Sequence, residues 1–411
     1  MLPTVARRLP SSFRRLACSN LAAQFSEQLA LATAPLAAVL LLNAGPAETG
    51  YLQTAQTLPF LLLSMIMGVL ADRTSRRRLM VAAEGVRALS LVAILALLME
   101  GFLNLPLLAV LGFLGAVGTV GYSVAAPALV PALVPREQFA SANRWLELAR
   151  SLAFTAGPAL GGLIVGSLGA SLAFVLATMF SLTAVVLLSG LPEPAAAPSA
   201  RRAVLKEINE GAAFVLKHPL LRPVLITAVF FNTAWFILQA VYVAYAVTSL
   251  DLTATGVGIT LGTYGAGMVV GALMARRLAE HFSFGTMITV GPAVGLAASL
   301  LMLATLIQPS GILAALSFFL FGAGPILWTI TTTTLRQAVT PVGMLGRVSA
   351  VVMTATFGAR PVGAAIGALL AANFGVAACL WASAAGFLIQ FLLLFGSPVR
   401  HLAQQPEPVQ A

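Results

Sequence analysis

The chain has 411 residues, of which 59% are hydrophobic and only 9% are Asp, Glu, Lys or Arg. An ordinary soluble domain is roughly 25% charged, so a water-soluble fold is excluded. The net charge of +10 would suit nucleic acid only if it were gathered on one soluble face, and its placement along the chain gives a topological reading instead.

Apolar runs of roughly twenty residues, the length that crosses about 30 Å of hydrocarbon as a helix, recur from one end to the other. They predict transmembrane helices over 16–42, 49–71, 79–99, 105–129, 143–165, 169–191, 221–246, 255–275, 285–307, 311–333, 347–371 and 375–397. The expected fold class is therefore all-α integral membrane, with twelve spans in two pseudo-symmetric bundles of six. The expected divisions are an N-terminal half (1–191), a linker (192–220), a C-terminal half (221–397) and a tail (398–411).

With the N-terminus placed in the cytoplasm, the inner segments collect Arg7, Arg8, Arg14, Arg15, Arg73, Arg76, Arg77, Arg78, Arg136, Arg201, Arg202, Lys206, Lys217, Arg276, Arg277, Arg336 and Arg400. The outer loops hold no Lys or Arg and carry only Glu48, Glu100 and Asp251. The positive-inside rule then predicts both termini in the cytoplasm. Cys18 and Cys379 lie far apart and give no support to a disulfide framework.

The first span begins like a signal peptide, with Arg14 and Arg15 before an apolar stretch, but Gln24, Glu27 and Gln28 interrupt it, so it reads as an uncleaved helix. Ionisable groups at membrane depth are functional candidates by default. Glu27, flanked by Gln24, Ser26 and Gln28, is the candidate for proton coupling; the alternative is a structural carboxyl bonded to another helix. After the second span comes Gly68-Val-Leu-Ala-Asp72-Arg73-Thr-Ser-Arg76-Arg77-Arg78, a helix end and a short basic loop. A degenerate copy, Gly271-Ala-Leu-Met-Ala275-Arg276, follows the eighth span and points to an internal repeat.

Glu84 and Arg87, and Glu147 and Arg150, have the i,i+3 spacing of ion pairs on one helix face, and a structural role is expected for both pairs. The fourth span repeats glycine at 112, 115, 118 and 121, a smooth ridge for close packing, and contributes Tyr122 as a cavity candidate. The fifth contains Gly157-Pro158-Ala-Leu-Gly161-Gly162, where the proline frees a backbone carbonyl and the glycines permit close helix contact.

The linker runs from a Pro-Ala-rich start into Val204, Leu205, Ile208, Ala212, Val215 and Leu216 at helical spacing among Lys206, Glu207 and Glu210. That pattern predicts an amphipathic helix on the membrane surface, tethering the halves. The seventh span presents Phe231, Trp235, Gln239 and Tyr242 as a stripe with Asn232 and Tyr245 nearby, and the tenth adds Trp328 and Thr331. Arg360, in Phe357-Gly-Ala-Arg360-Pro361-Val-Gly, cannot snorkel to either surface and is expected to meet an anionic partner, either Glu27 or the cargo; a fixed counter-ion between helices is the other reading.

The loop Gly68 to Arg78 resembles the signature loop of the major facilitator superfamily, and twelve spans, two halves and a long central loop extend the resemblance over the whole chain. It implies that Gly68, Asp72, Arg73, Arg76 and Arg77 form a conformational latch, although Ser75 stands where the family has glycine. Gly157, Pro158, Gly161 and Gly162 are similar to the core of the family's antiporter motif, with its upstream glycines replaced by Arg144 and Ala153, and imply export. The family's cavity-lining spans are the first, fourth, seventh and tenth, which makes Gln24, Gln28, Tyr122, Asn232, Trp235, Gln239, Tyr242, Trp328 and Arg360 cavity candidates. The fourth span lacks the arginine of many of the superfamily's antiporters, which weakens a direct transfer of their proton path.

Leu133-Val-Pro135-Arg136-Glu-Gln-Phe-Ala-Ser-Ala-Asn143 and Arg336-Gln-Ala-Val-Thr-Pro341-Val-Gly-Met-Leu-Gly346-Arg347 are similar to loops of the enterobactin-exporter-like (transmembrane secretion effector) subgroup. That similarity implies proton-coupled export of a small amphipathic molecule such as a siderophore, macrolide or other drug. It also implies a functional monomer in the lipid bilayer of the bacterial inner membrane. Lysophospholipid transport, import by the same fold and a transport-inactive sensor are the alternatives. No Gly-x-x-x-x-Gly-Lys-Ser/Thr pattern is present, which argues against an ATP-driven pump. His218, His281 and His401 are scattered, so neither an enzyme nor a metal or other cofactor is expected.

Overall fold

The computed structural model describes residues 10–135, 138–192 and 204–407; within them the side chains of 69, 72, 73, 127, 128, 131, 132, 140, 204–207 and 342 are not described. Arg7, Arg8, Arg136, Arg201 and Arg202, and the side chains of Asp72, Arg73, Lys206 and Glu207, therefore lie outside the described part.

Among the described residues the chain forms α-helices and two short 3-10 turns. They are α1 (Ser11–Leu42), α2 (Pro46–Arg73), α3 (Arg76–Met99), α4 (Leu105–Leu133), α5 (Phe139–Leu168), α6 (Ala170–Ser189), α7 (Val204–Lys217), α8 (Leu221–Thr248), α9 (Ala254–His281), α10 (Phe284–Ala304), α11 (Gly311–Val339) and α12 (Leu345–Phe395). Ten of these twelve helices contain stretches long and apolar enough to cross a membrane. Helices suit that setting because every interior backbone group bonds within its own segment. Polar residues start several of them: the side chains of Ser75, Asn104, Thr253, Ser283 and Ser310 accept bonds from the backbone N–H groups of the first turns of α3, α4, α9, α10 and α11.

The last two expected spans fall within the single 51-residue α12, which Gly375 divides. Its φ of 78° lies in the left-handed region that glycine occupies without steric cost. Cys379 Sγ reaches back to the Gly367 carbonyl, and Gly363 and Ser383 both lie against α8, at Thr233 and Ala234, so the chain reverses at Gly375. Gly169, with φ 90°, joins α5 to α6 in the same way.

Helices α1–α6 pack among themselves, as α1 on α5 and α6, α3 on α4 and α6, and α2 on α4. Helices α8–α12 repeat the arrangement, as α8 on both arms of α12, α10 on α11 and α12, and α9 on α11. The two bundles meet where α5 lies on α9 and where α2 lies on α12 and α8. One end of the molecule is built of short turns (43–45, 100–104, 169, 249–253, 305–310 and 375), and we call it the turn end; the opposite, basic end carries both described termini.

At the turn end the bundles share one apolar core, to which Leu36, Leu52 and Phe174 contribute from one side and Tyr242, Phe318 and Phe387 from the other. At the basic end there are two separate cores, one around Phe13, Met80 and Leu129, the other around Val215, Leu335 and Val348. The molecule is thus closed at the turn end and parted at the basic end. Gly162 and Gly258 make closure possible: a Cβ on Gly162 would stand 2.5 Å from the Ala254 carbonyl oxygen.

Helix α7 packs on the second bundle. Its apolar side, with Val215 fully buried, joins the core of the second bundle, and Glu210 Oε2 pairs with Arg347 Nη1 at 2.6 Å at the start of α12. The segment 398–403 docks on the same bundle, with the Gly285 N–H bonded to the Leu402 carbonyl. On α7 itself Val215 is fully buried, Ile208 and Ala212 are partly buried, and the helix packs on α8 and α12.

Candidate functional site

Proline and glycine put the cavity where it is. Pro158 within α5 removes one helical hydrogen bond, and Gly157 and Gly161 bring α5 against α1 at Gln28 and Ala32, while Gly162 turns the other way onto α9. Between the bundles this leaves a cavity of about 310 Å³. Its wall includes Glu27, Gln28, Gln53, Gln56, Phe60, Arg87, Thr119, Phe231, Asn232, Trp235, Gln239, Tyr264, Phe318 and Arg360.

One wall is a charge network. Arg87 pairs with Glu84 (Nη1–Oε1, 2.8 Å) and donates to the Ala23 carbonyl (3.0 Å) and Thr119 Oγ1 (2.8 Å). Its Nη2 stands 3.9 Å from Glu27 Oε2. Glu84 is wholly buried and accepts from Ser181 Oγ at 3.0 Å, whereas the Glu27 side chain is 19% exposed and faces the cavity. The two carboxylates share one arginine: Glu84 anchors it from the buried side, and Glu27 meets it from the cavity.

The opposite wall holds Arg360. Its Nε donates to Asn232 Oδ1 at 3.4 Å, and its guanidinium lies over Phe357 at 4.1 Å from the ring centroid and over Phe60 and Phe236 at 5.5 Å each. Aromatic faces attract the cation. Among the described residues no carboxylate lies within ion-pair distance of it: Glu27, one of the two anionic partners expected, pairs with Arg87 instead, and an amide and three rings surround Arg360. Beside it Trp235 stacks on Tyr264 (5.1 Å) and Phe231 (6.5 Å).

Of the cavity candidates, Gln28, Asn232, Trp235, Gln239 and Arg360 line the cavity, as does Glu27. Gln24, Tyr122, Tyr242 and Trp328 do not. Tyr122 belongs to the core of the first bundle, Tyr242 is fully buried with its hydroxyl on Thr260 Oγ1 at 2.5 Å, and Trp328 packs behind Phe231. Arg87, Gln56, Phe60 and Tyr264 were not singled out for the cavity; for Arg87 the signal was present, because it lies at membrane depth just as Arg360 does.

The latch candidates sit at the parted end. Among the described residues, a Cβ on Gly68 would have no atom within 4 Å in this conformation. Ser75, in place of the family glycine, caps α3 by accepting from the Arg78 N–H, Arg76 opens that helix, and Arg77 Nη1 donates to the Leu191 carbonyl at 2.9 Å. The side chains of Asp72 and Arg73 lie outside the described part.

The family model described as transmembrane secretion effector matches residues 11–410. Curated relatives include the enterobactin exporter EntS of Escherichia coli strain K12, 28% identical over 360 residues, and that of Shigella boydii serotype 18, also 28% identical; each alignment covers 84% of this chain and 83% of the relative. Among solved structures, the nucleoside transporter NupG superposes with a TM-score of 0.72 at 11% identity (94% of this chain, 98% of that one). A bacterial homologue of the iron transporter ferroportin in an inward-facing state gives 0.74 at 15% (93% and 98%), and a D-xylose-proton symporter gives 0.71 at 14% (94% and 97%). These similarities establish transporters rather than enzymes as its kin, and the chain belongs to the transmembrane secretion effector family of the major facilitator superfamily.

Proposed function

We propose that the protein is a secondary transporter that exports a small amphipathic organic molecule, siderophore-like in class, by alternating access and in exchange for protons. The observation that carries this reading is the cavity between the bundles, closed at the turn end and parted at the basic end, with Glu27 on its wall and its partner arginine already anchored by Glu84. In this reading the basic end faces the cytoplasm, which the distribution of Lys and Arg supports, with twelve spans, both termini inside and the cavity open inward. The spans are α1–α6, α8–α11 and the two arms of α12; residues 1–191 and 221–397 are the two moving halves, and α7 travels with the second.

Protonation of Glu27 weakens its attraction to Arg87 and neutralises the wall, so the two states of Glu27 have different affinities for a given cargo, which is what exchange needs. One charge crossing 100 mV is worth about 2.3 kcal/mol, enough to concentrate a solute appreciably. Gly68, Asp72, Arg73, Arg76 and Arg77 act as a latch when the basic end closes. The relatives named enterobactin exporters support the cargo class, and the chain acts as a monomer in the inner membrane.

The test is efflux from cells loaded with siderophores, macrolides or lipophilic dyes, with and without a proton uncoupler, in wild type and Glu27→Gln. Uncoupler-sensitive efflux that disappears in Glu27→Gln is the expected result. Efflux that persists unchanged in the variant removes Glu27 from coupling, and efflux of no panel member removes the export reading.

A further inference from the structure

The cavity holds two arginines in opposite conditions. Arg87 spends its terminal donors on Glu84, the Ala23 carbonyl and Thr119. Among the described residues Arg360 has a single hydrogen bond, to Asn232, although a guanidinium carries five N–H donors in its plane. The rings of Phe60, Phe236 and Phe357 lie against it but accept none of those donors as a carboxylate would. A structural arginine at this depth would be expected to have a carboxylate beside it; this one keeps its planar edge for something that enters the cavity.

Two further groups on the wall also lack partners. Gln56 and Gln28 are 6% and 5% exposed, line the cavity and, among the described residues, leave Oε1 and Nε2 respectively without a hydrogen bond. Buried amides are normally satisfied, so their empty valences fit a polar ligand. Trp235, Tyr264 and Phe231 form a stacked aromatic surface beside Arg360.

Resting on the export reading, we propose that the cargo is an aromatic anion, its acidic group taken by Arg360 and its ring by the Trp235 surface. Because Phe60 belongs to the first bundle and Arg360 and Phe236 to the second, the anion site spans the two bundles and is remade each time they move. Arg360 is thus a specificity-determining residue: it selects charge, and the rings select shape.

The test uses the full chain in phosphatidylcholine nanodiscs and two isosteric probes, 1-naphthoate and 1-naphthamide, titrated calorimetrically. Wild type is expected to bind naphthoate about tenfold more tightly than naphthamide, the scale of a charge-assisted hydrogen-bonded pair. Arg360→Gln is expected to bring the ratio to about one while naphthamide affinity stays, which also shows that the variant is folded. Equal wild-type affinities, binding of neither probe, or a preference that survives Arg360→Gln each overturns the proposal. The wild-type ratio needs no variant, so misfolding of Arg360→Gln leaves it decisive. Repeating the titration in phosphatidylglycerol nanodiscs separates the sources of anion: loss of naphthoate binding there assigns Arg360 to a lipid phosphate and overturns the cargo assignment. Efflux of neutral or cationic panel members without a naphthoate preference would sink this inference alone and leave export standing.

Discussion

Two ion pairs with identical spacing behave as two different kinds of chemistry. Glu147 and Arg150 pair at 2.9 Å with both side chains about half exposed, and such pairs contribute roughly 0–1 kcal/mol. Glu84 is wholly buried and holds Arg87, and removing one partner of a buried pair costs about 3–5 kcal/mol because the other charge stays behind. Glu84→Ala should therefore lower the thermal midpoint of the detergent-purified protein by several degrees, and Glu147→Ala should leave it nearly unchanged; equal effects would refute the distinction. The i,i+3 spacing was legible for both pairs, but their burial was not, because spacing on one helix says nothing of what the neighbouring helices bring. For the same reason Arg87 was read only as the partner of Glu84, although Ala23, Glu27 and Thr119 from α1 and α4 complete its surroundings.

His218, between α7 and α8, gives a pH prediction. Its Nδ1 accepts from the backbone N–H groups of Leu220 and Leu221, and burial lowers its pKa from the usual value. The neutral form is the one that accepts, so the folded state binds its proton less readily than the unfolded one. The contribution to stability is present above the unfolded value, about 6.5, and is lost as the pH falls through it towards the folded value. The drop in thermal midpoint between pH 7.5 and pH 5.5 should be smaller in His218→Gln than in wild type, and an identical drop would rule out the cap.

At the scale of the element, the long helices were readable because the hydrocarbon demands continuous apolar sequence. Even the break at Gly375 falls at the boundary between the last two expected spans. Which face of a helix meets the cavity was not readable. Tyr242 lies on the same stripe of α8 as Trp235 and Gln239, yet α9 covers it through Thr260, and Tyr122 is covered by the core of the first bundle. The Gly157–Gly162 segment was recognised as a close-packing element, but only packing reveals that its glycines divide between α1 and α9. A side chain on the α9 side should pry the seam apart. Gly258→Leu is expected to abolish efflux and to raise labelling of an introduced Thr255→Cys by an impermeant maleimide in intact cells. Unchanged labelling would mean that the seam is not the outer closure.

At the scale of the molecule, the joint core at the turn end and, among the described residues, the two separate cores at the basic end define a conformation, and the proposed orientation places its basic end in the cytoplasm. In intact cells, an introduced Gln308→Cys at the turn end should react with impermeant maleimide while the native Cys18, exposed near the basic end, should not; the reverse pattern would invert the proposed topology. The overall architecture was legible in hydropathy and charge alone. The docking of α7 on the second bundle was not, because an amphipathic stripe is equally suited to a lipid surface and to a protein one.

The turns at Gly169 and Gly375 are single residues, and no connection at the turn end is longer than the six residues of 305–310. In the proposed orientation that end is all the protein shows on the outer side of the inner membrane. A protease or binding protein on that side would find almost no protruding chain to grip. Binders against this transporter should therefore be raised against its cytoplasmic face, where α7 and the 398–403 segment form a folded epitope on the second bundle.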